Sequence, residues 1–203
     1  MNHNHPLVTT VLLLAANPKG TSPLRLDEEI REIEEGFQRS QQRDRFRFIP
    51  KMAVRSRDVY RAMLDYKPQI VHFCGHGAGE KGLALENETG NIQLVSGEVL
   101  ADLFKLFAKQ LDCVLLNACY SEIQANAISQ HINYVIGSKQ AIGDTDAIKF
   151  AVGFYDALGA GESFDFAYEI GCVAMAIDNI PKHLTPVIKK KSADFRQTVV
   201  GID

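Results

Sequence analysis

The chain has 203 residues, 46% of them hydrophobic and 23% charged, with a formal net charge of -3; this is ample apolar material for one buried core. The near balance of charge offers no broad positive field for neutralising phosphates, so nucleic acid is not an expected partner. The longest apolar runs fall short of the roughly 20 residues a membrane-spanning helix needs, and the opening MNHNHP lacks the basic start of a secretion signal, so the expectation is a cytoplasmic protein with no membrane partner.

The run TTVLLLAANP, from Thr9 to Pro18, is continuously apolar, as in a strand buried on both faces that exits into a loop. Over residues 24–39, Leu26, Ile30, Ile33 and Phe37 recur at helical steps, and the acidic residues between them are assigned to solvent. FRFIPKMAV alternates like a strand. Ser56 and Asp58 then open a helix with Val59, Met63 and Leu64 on its inner face, and Lys67-Pro68 ends it. QIVHFCG reads as a strand, LALENETGNIQLV as a loop or small hairpin turning at Thr89-Gly90-Asn91, and Ser96 enters a helix carrying Leu100, Leu103, Phe104 and Phe107. There follow the strand DCVLLNA, a helix over 121–131, the short strand NYVIGS, helices over 144–158 and 163–178, the second capped by Ser163, and a last strand in TPVIKKK. Lys189, Lys190 and Lys191 read as a solvated sheet edge. Strands alternating with helices predict an α/β fold with a mostly parallel sheet covered on both faces. Neither a repeat nor a low-complexity linker divides the chain, so one domain is expected over residues 1–203.

Side chains that do chemistry in such sheets gather at the carboxyl ends of strands. VHFCGHG and LLNACYS are two such ends. His76 lies just beyond one strand, between Gly75 and Gly77, and Cys119 just beyond the other, before the helix opened by Ser121. Should the strands be neighbours, imidazole and thiol can meet, and an adjacent imidazole or a helix N-terminus lowers a thiol's pKa toward the nucleophilic thiolate. Gly77 permits close backbone approach, and the amides of Gly77 and Cys119 are candidate oxyanion donors. His72, Cys74 and His76 make a second candidate set, as zinc ligands. Their spacing is not a usual zinc pattern, so no metal is expected, and His72 and Cys74 are read as core residues that orient the loop. NPKGTS follows the first strand where anions can bind but lacks both glycine-rich phosphate patterns. The four cysteines, Cys74, Cys113, Cys119 and Cys172, read as reduced thiols.

FCGHG followed one strand later by LLNACYS, with AIKFAVGFYDALGAG downstream, resembles the caspase-like cysteine peptidases and most closely their CHAT branch; the likeness spans residues 9–178. The resemblance implies a three-layer α/β/α sandwich, a dyad on His76 and Cys119, Gly77 at the oxyanion position, no cofactor and no third catalytic residue. It implies hydrolysis of peptide bonds in protein or peptide substrates through an acyl-enzyme. Asn117 either braces the Cys119 turn or merely closes the strand end. The cysteine lacks the QACRG form of the caspases proper, so cleavage after aspartate is not carried over. Asp144 and Asp146 are candidates for an acidic substrate pocket, their other reading being to cap the helix they open. Tyr120 and Glu122 flank the thiol as candidate cleft residues. Family context adds regulation by a sensor protein or by self-association, in bacterial signalling or defence. The alternative is a catalytically silent caspase-like interaction module.

Overall fold

A computed structural model describes residues 8–192. In chain order its elements are β1 (Thr9–Ala15), α1 (Leu26–Arg39), β2 (Phe46–Lys51), α2 (Ser56–Tyr66), β3 (Ile70–Cys74), β4 (His76–Gly77), β5 (Leu83–Glu86), β6 (Ile92–Val95), α3 (Gly97–Leu106), β7 (Cys113–Asn117), α4 (Glu122–Ile128), β8 (Tyr134–Gly137), α5 (Asp144–Gly159), α6 (Phe164–Ile177) and β9 (Val187–Lys190). Six strands form one sheet in the order β2-β1-β3-β7-β8-β9. Its first five strands are parallel, and β9 is antiparallel at the edge.

The central strands are apolar at nearly every position because both sheet faces are covered. Val11, Leu13, Ile70, Cys113 and Leu115 pack toward α1, α5 and α6. Their alternating neighbours Leu12, Leu14, Val71, Val114 and Leu116 pack toward α2, α3 and α4. Two separate cores follow from the two-residue period of a strand, giving the three layers the resemblance implied. No helix among the described residues is long and apolar enough to cross a membrane.

Several expectations need adjustment. The acidic run of α1 is not wholly solvated. Glu29 lies three residues after Leu26 and four before Ile33, on the same helical stripe, and is only 2% exposed. Leu64 falls off the Val59–Met63 face of α2 and is exposed. The helix after Ser121 stops at Ile128. The lysines of β9 lie on a sheet edge, as read, but two are paired: Lys189 with Glu122 and Lys190 with Asp165, each at 2.7 Å. The hairpin β5–β6 belongs to a second sheet, in the order β4-β5-β6, to which His76 itself contributes a strand.

Candidate active site

From β1 the chain crosses to α1 on one face, while from β3 it leaves for the hairpin on the other face. Loops that diverge from neighbouring strands leave a crevice at the sheet's carboxyl end. His76 stands at this point.

β3 and β7 are hydrogen-bonded neighbours, with Cys74 opposite Asn117, and the Gly75 amide donates to the Asn117 carbonyl at 3.2 Å. His76 and Cys119 each follow that matched pair by two residues, so they leave the sheet at one level. The contact between them is close. A Cβ at Gly77 would overlap the carbonyl oxygen of Cys119 and lie 3.0 Å from its carbonyl carbon and 3.3 Å from its nitrogen. β4 therefore lies against the Cys119 peptide, and glycine is required for that approach.

Hydrogen bonding leaves two amides open. Ala78 donates to Gly82 at 2.9 Å, and opposed residues of an antiparallel pair alternate between bonded and non-bonded positions. The pair Gly77–Leu83 thus falls in a non-bonded position, with the Gly77 N–H outside the ladder. The Cys119 N–H likewise has no acceptor among the described residues.

The turn carrying Cys119 is tightly held. Tyr120 adopts a left-handed conformation with φ of 53°, uncommon for a bulky side chain and costing about 1–3 kcal/mol that the surroundings must offset. Its amide donates to Gln140 at 3.1 Å, and that of Glu122 to Ser138 at 3.0 Å. Ser121 does not cap α4 with its side chain, as its position suggested. Its fully buried hydroxyl lies 2.7 Å from the Ala118 carbonyl and 3.0 Å from that of Leu116, and accepts from the Ser138 amide at 2.9 Å. This joins β7, the turn and the end of β8.

The thiol of Cys119 donates to the Ile142 carbonyl at 3.7 Å. His76 Nε2 lies 3.0 Å from the Ser22 carbonyl and 3.3 Å from Asn17 Oδ1. The Ser22 carbonyl can only accept, which assigns the proton to Nε2 and leaves the lone pair on Nδ1. The backbones that carry the imidazole and the thiol thus meet, while the imidazole is bonded to Ser22 and Asn17 and the thiol to Ile142, not to each other.

Beneath them lies a polar cluster that the sequence did not announce. Asn117 donates to Glu29 Oε1 at 2.5 Å and to the Ala147 carbonyl at 3.0 Å, which ties the end of β7 to α1 and α5. Glu29 Oε1 is 3.2 Å from His72 Nε2, and the His72 ring stacks on Tyr155 with centroids 5.7 Å apart. Burial first, then the charge of Glu29, pushes the Cys74 thiol well above its ordinary pKa; burial also pushes Cys113 up. His72 and Cys74 are core residues, as read. Glu29 was missed, although its i+3 and i+4 relation to Leu26 and Ile33 is visible in the sequence.

The remaining candidates scatter. Asp144 Oδ2 accepts from the Arg25 amide at 2.7 Å and clasps the entrances of α1 and α5. Neither Asp144 nor Asp146 caps α5, whose N-cap is Gly143 with no side-chain hydrogen bond; Asp146 folds back over Gly143. Glu122 is drawn to Lys189. The Tyr120 side chain is exposed.

The family model described as the CHAT domain matches residues 4–169. A curated relative, a Roc-COR-CHAT protease from an unknown prokaryotic organism, is 26% identical over 178 residues, covering 84% of this chain and 17% of the relative. A probable protease of Gillisia limnaea is 28% identical over 176 residues, covering 85% of this chain and 30% of the relative. The chain thus spans less than a third of the length of these two relatives. Among solved structures, a secreted C11 cysteine protease from Bacteroides thetaiotaomicron, in complex with an irreversible peptide inhibitor, superposes with a TM-score of 0.65 at 16% identity over 90% of this chain and 66% of that one. The Drosophila initiator caspase Dronc gives 0.59 at 10% identity over 90% and 79%. These likenesses show a caspase-like fold.

Proposed function

The chain belongs to the CHAT domain family, and on that premise we propose that it is a cysteine endopeptidase that cleaves protein substrates with His76 and Cys119. One observation carries the reading: His76 and Cys119 leave paired strands at the same level, with Gly77 pressed against the Cys119 peptide. The names of the two curated relatives, both proteases, support it.

The steps follow from the groups present. Rotation of the Cys119 side chain about χ1 frees Sγ from the Ile142 carbonyl and turns it toward Nδ1 of His76, whose Nε2–H keeps its hydrogen bond to the Ser22 carbonyl. Nδ1 takes the thiol proton and the thiolate attacks the substrate carbonyl carbon. The negative charge on the carbonyl oxygen is met by the Gly77 and Cys119 amides, an arrangement in which one donor is worth about 10²–10³ in kcat. The imidazolium then protonates the leaving amine, the C–N bond breaks, and a thioester remains. Water, deprotonated by His76, hydrolyses that thioester and restores the thiol.

Asp144 and Asp146 lie in the segment just past Ile142, the carbonyl that binds the thiol, and we assign to them a preference for a basic residue before the cut. The whole chain acts as one domain, in the cytoplasm, within a bacterial signalling or defence system and under a sensor partner or self-association.

Cleavage profiling on a diverse peptide library tests the reading, with Cys119→Ala as the control. The expected result is cleavage abolished by the substitution, together with labelling of Cys119 by an acylating peptide probe. Neither cleavage nor labelling, with or without candidate activators, would overturn it. A second reading, a silent interaction module, draws on the thiol and imidazole being bonded to Ile142 and Ser22. It requires unchanged partner binding by Cys119→Ala and no labelling of the unsubstituted protein.

A further inference from the structure

A groove of about 750 Å³ lies between α2, α3 and the β5–β6 hairpin. Gln93, Leu94 and Val95 all line it. Side chains of consecutive strand residues point to opposite faces, so a cavity touching all three runs along the free edge of β6. That edge is the last strand of the β4-β5-β6 sheet. Among the described residues, edge pairing reaches only Asn91, which bridges to Lys19; from Ile92 to Val95 the outer row has no strand partner, and only the Gln93 side-chain amide, donating to the Leu94 carbonyl at 3.3 Å, occupies it.

Proteins protect such edges with proline or charge, and the main sheet of this one does both. β2 carries Pro50 and β9 carries its lysines. β6 reads IQLV, without either, and leaves Ile92 46% and Leu94 37% exposed. The groove's charged lining residues are Arg57 and Lys81, with no carboxylate. Lys81 forms no ion pair among the described residues; Arg57 pairs through Nη2 with Glu88, outside the lining, at 3.0 Å, while its buried Nε has no acceptor. A second copy of the chain would bring another unpaired Lys81 and another Arg57–Glu88 pair, and so no free carboxylate for the groove. The complementary occupant is an extended peptide of another protein, alternating apolar and acidic side chains.

We infer that this groove docks such an acidic peptide strand by adding it to β6, and that the added strand acts on the histidine's surroundings. Strand addition supplies affinity through main-chain hydrogen bonds, and the groove supplies side-chain selection. Leu94 is opposite Ala84, and Ala84 is opposite His76, so the docked strand lies in one sheet with His76. The far end of the hairpin supports the loop that holds the imidazole: Glu86 accepts from the Asn17 amide at 3.4 Å and Gly90 from the Lys19 amide at 2.8 Å. The regulatory consequence rests on the proposed role of His76; the docking itself does not.

The test uses the Cys119→Ala protein, which cannot cleave its probe, and a fluorescein-labelled peptide Val-Glu-Val-Glu-Val-Glu-Val against its counterpart with lysine in place of each glutamate. Fluorescence anisotropy is expected to show saturable binding of the glutamate peptide, at least about tenfold tighter than the lysine peptide, equivalent to about 1.4 kcal/mol. Arg57→Glu with Lys81→Glu, two surface changes, should invert that preference, and Leu94→Lys should weaken binding. In ¹⁵N-histidine NMR spectra the glutamate peptide should shift the His76 ring resonances. Absence of saturable binding, equal binding of both peptides, or a preference indifferent to the charge reversal overturns the docking. So does a concentration-dependent dimer abolished by Leu94→Lys, which would put a second copy on the edge. Binding that leaves the His76 resonances unmoved overturns the action on the site while leaving its proposed chemistry untouched.

Discussion

Replacing Gly77 with alanine tests the apposition on which the site depends. The new methyl would overlap the Cys119 carbonyl oxygen and lie 3.0 Å from the carbonyl carbon, where ordinary contact begins at 3.4 Å. The obstructing atoms are backbone, so no rotamer change relieves the clash, and β4 must part from the Cys119 turn by about 1 Å. That turn is fastened by the Ser121 hydroxyl and by the Tyr120 amide on Gln140, so the movement strains native bonds. Overpacking of this kind costs about 1–3 kcal/mol. At about 2–4 °C per kcal/mol for a chain of this size, Tm should fall by about 2–12 °C. Displacing the two amides by about 1 Å relative to the thiol should lower kcat/KM by about 100-fold. The assays are thermal denaturation by circular dichroism, and cleavage of the best library peptide alongside probe labelling of Cys119. Gly36→Ala is the control, because the methyl there meets only the Asp156 side chain, at 2.6 Å, which can rotate away and lies outside the site. A Gly77→Ala protein with unchanged labelling and a Tm within about 1 °C of the parent would refute the reasoning.

Removing the carboxylate of Glu29 by Glu29→Ala leaves one N–H of Asn117 without its buried acceptor, the other still donating to the Ala147 carbonyl. At about 1–3 kcal/mol for an unsatisfied buried group, Tm should fall by about 2–12 °C, and by less in Glu29→Gln, whose amide oxygen still accepts. Burial and raised pKa keep Cys74 and Cys113 as inert thiols, so iodoacetamide at pH 8 should modify Cys119 before either; intact-mass and peptide mapping read the order, and early loss of Cys74 or Cys113 contradicts it. The hydrogen bond and charge of Arg55 hold the Asp58 carboxyl below its ordinary 3.8. A lowered folded-state pKa means that this stabilisation is complete above about pH 4 and fades as pH falls through the lower folded value. Asp58→Ala, which also removes an acceptor for the Arg55 amide, should cost about 0.5–1 kcal/mol at pH 7 and progressively less in denaturant titrations toward pH 2. Tyr120→Gly relaxes the left-handed turn at φ 53° and should stabilise the fold by about 1 kcal/mol, seen as a rise in Tm.

Local signals carried the alternation of elements a long way. The uninterrupted apolar run of β1, the helical recurrence of Leu26, Ile33 and Phe37, and the serine caps at Ser96 and Ser163, confirmed by side-chain bonds to the Val99 and Phe166 amides, are properties of neighbouring residues and are visible in one dimension. His76 and Cys119 stand out for the same reason, as polar residues in glycine-flanked or helix-preceding turns after buried strands. Glu29 was hidden because charge argues for solvent while position on the stripe argues for burial, and only a partner such as Asn117, 88 residues away, settles the contest.

The sequence by itself determined which segments become strands and helices, and which two polar residues wait at strand ends. Tertiary structure decided that β3 and β7 lie side by side, that His76 is drawn into a second sheet, that its Nε2–H donates to the Ser22 carbonyl, and that Asp144 and Glu122 are already engaged with Arg25 and Lys189. The division has a physical cause. Strand and helix formation depend on side-chain periods within a few residues, whereas the pairing of strands and the choice of hydrogen-bond partners depend on which distant segments the two cores bring within about 3 Å of one another.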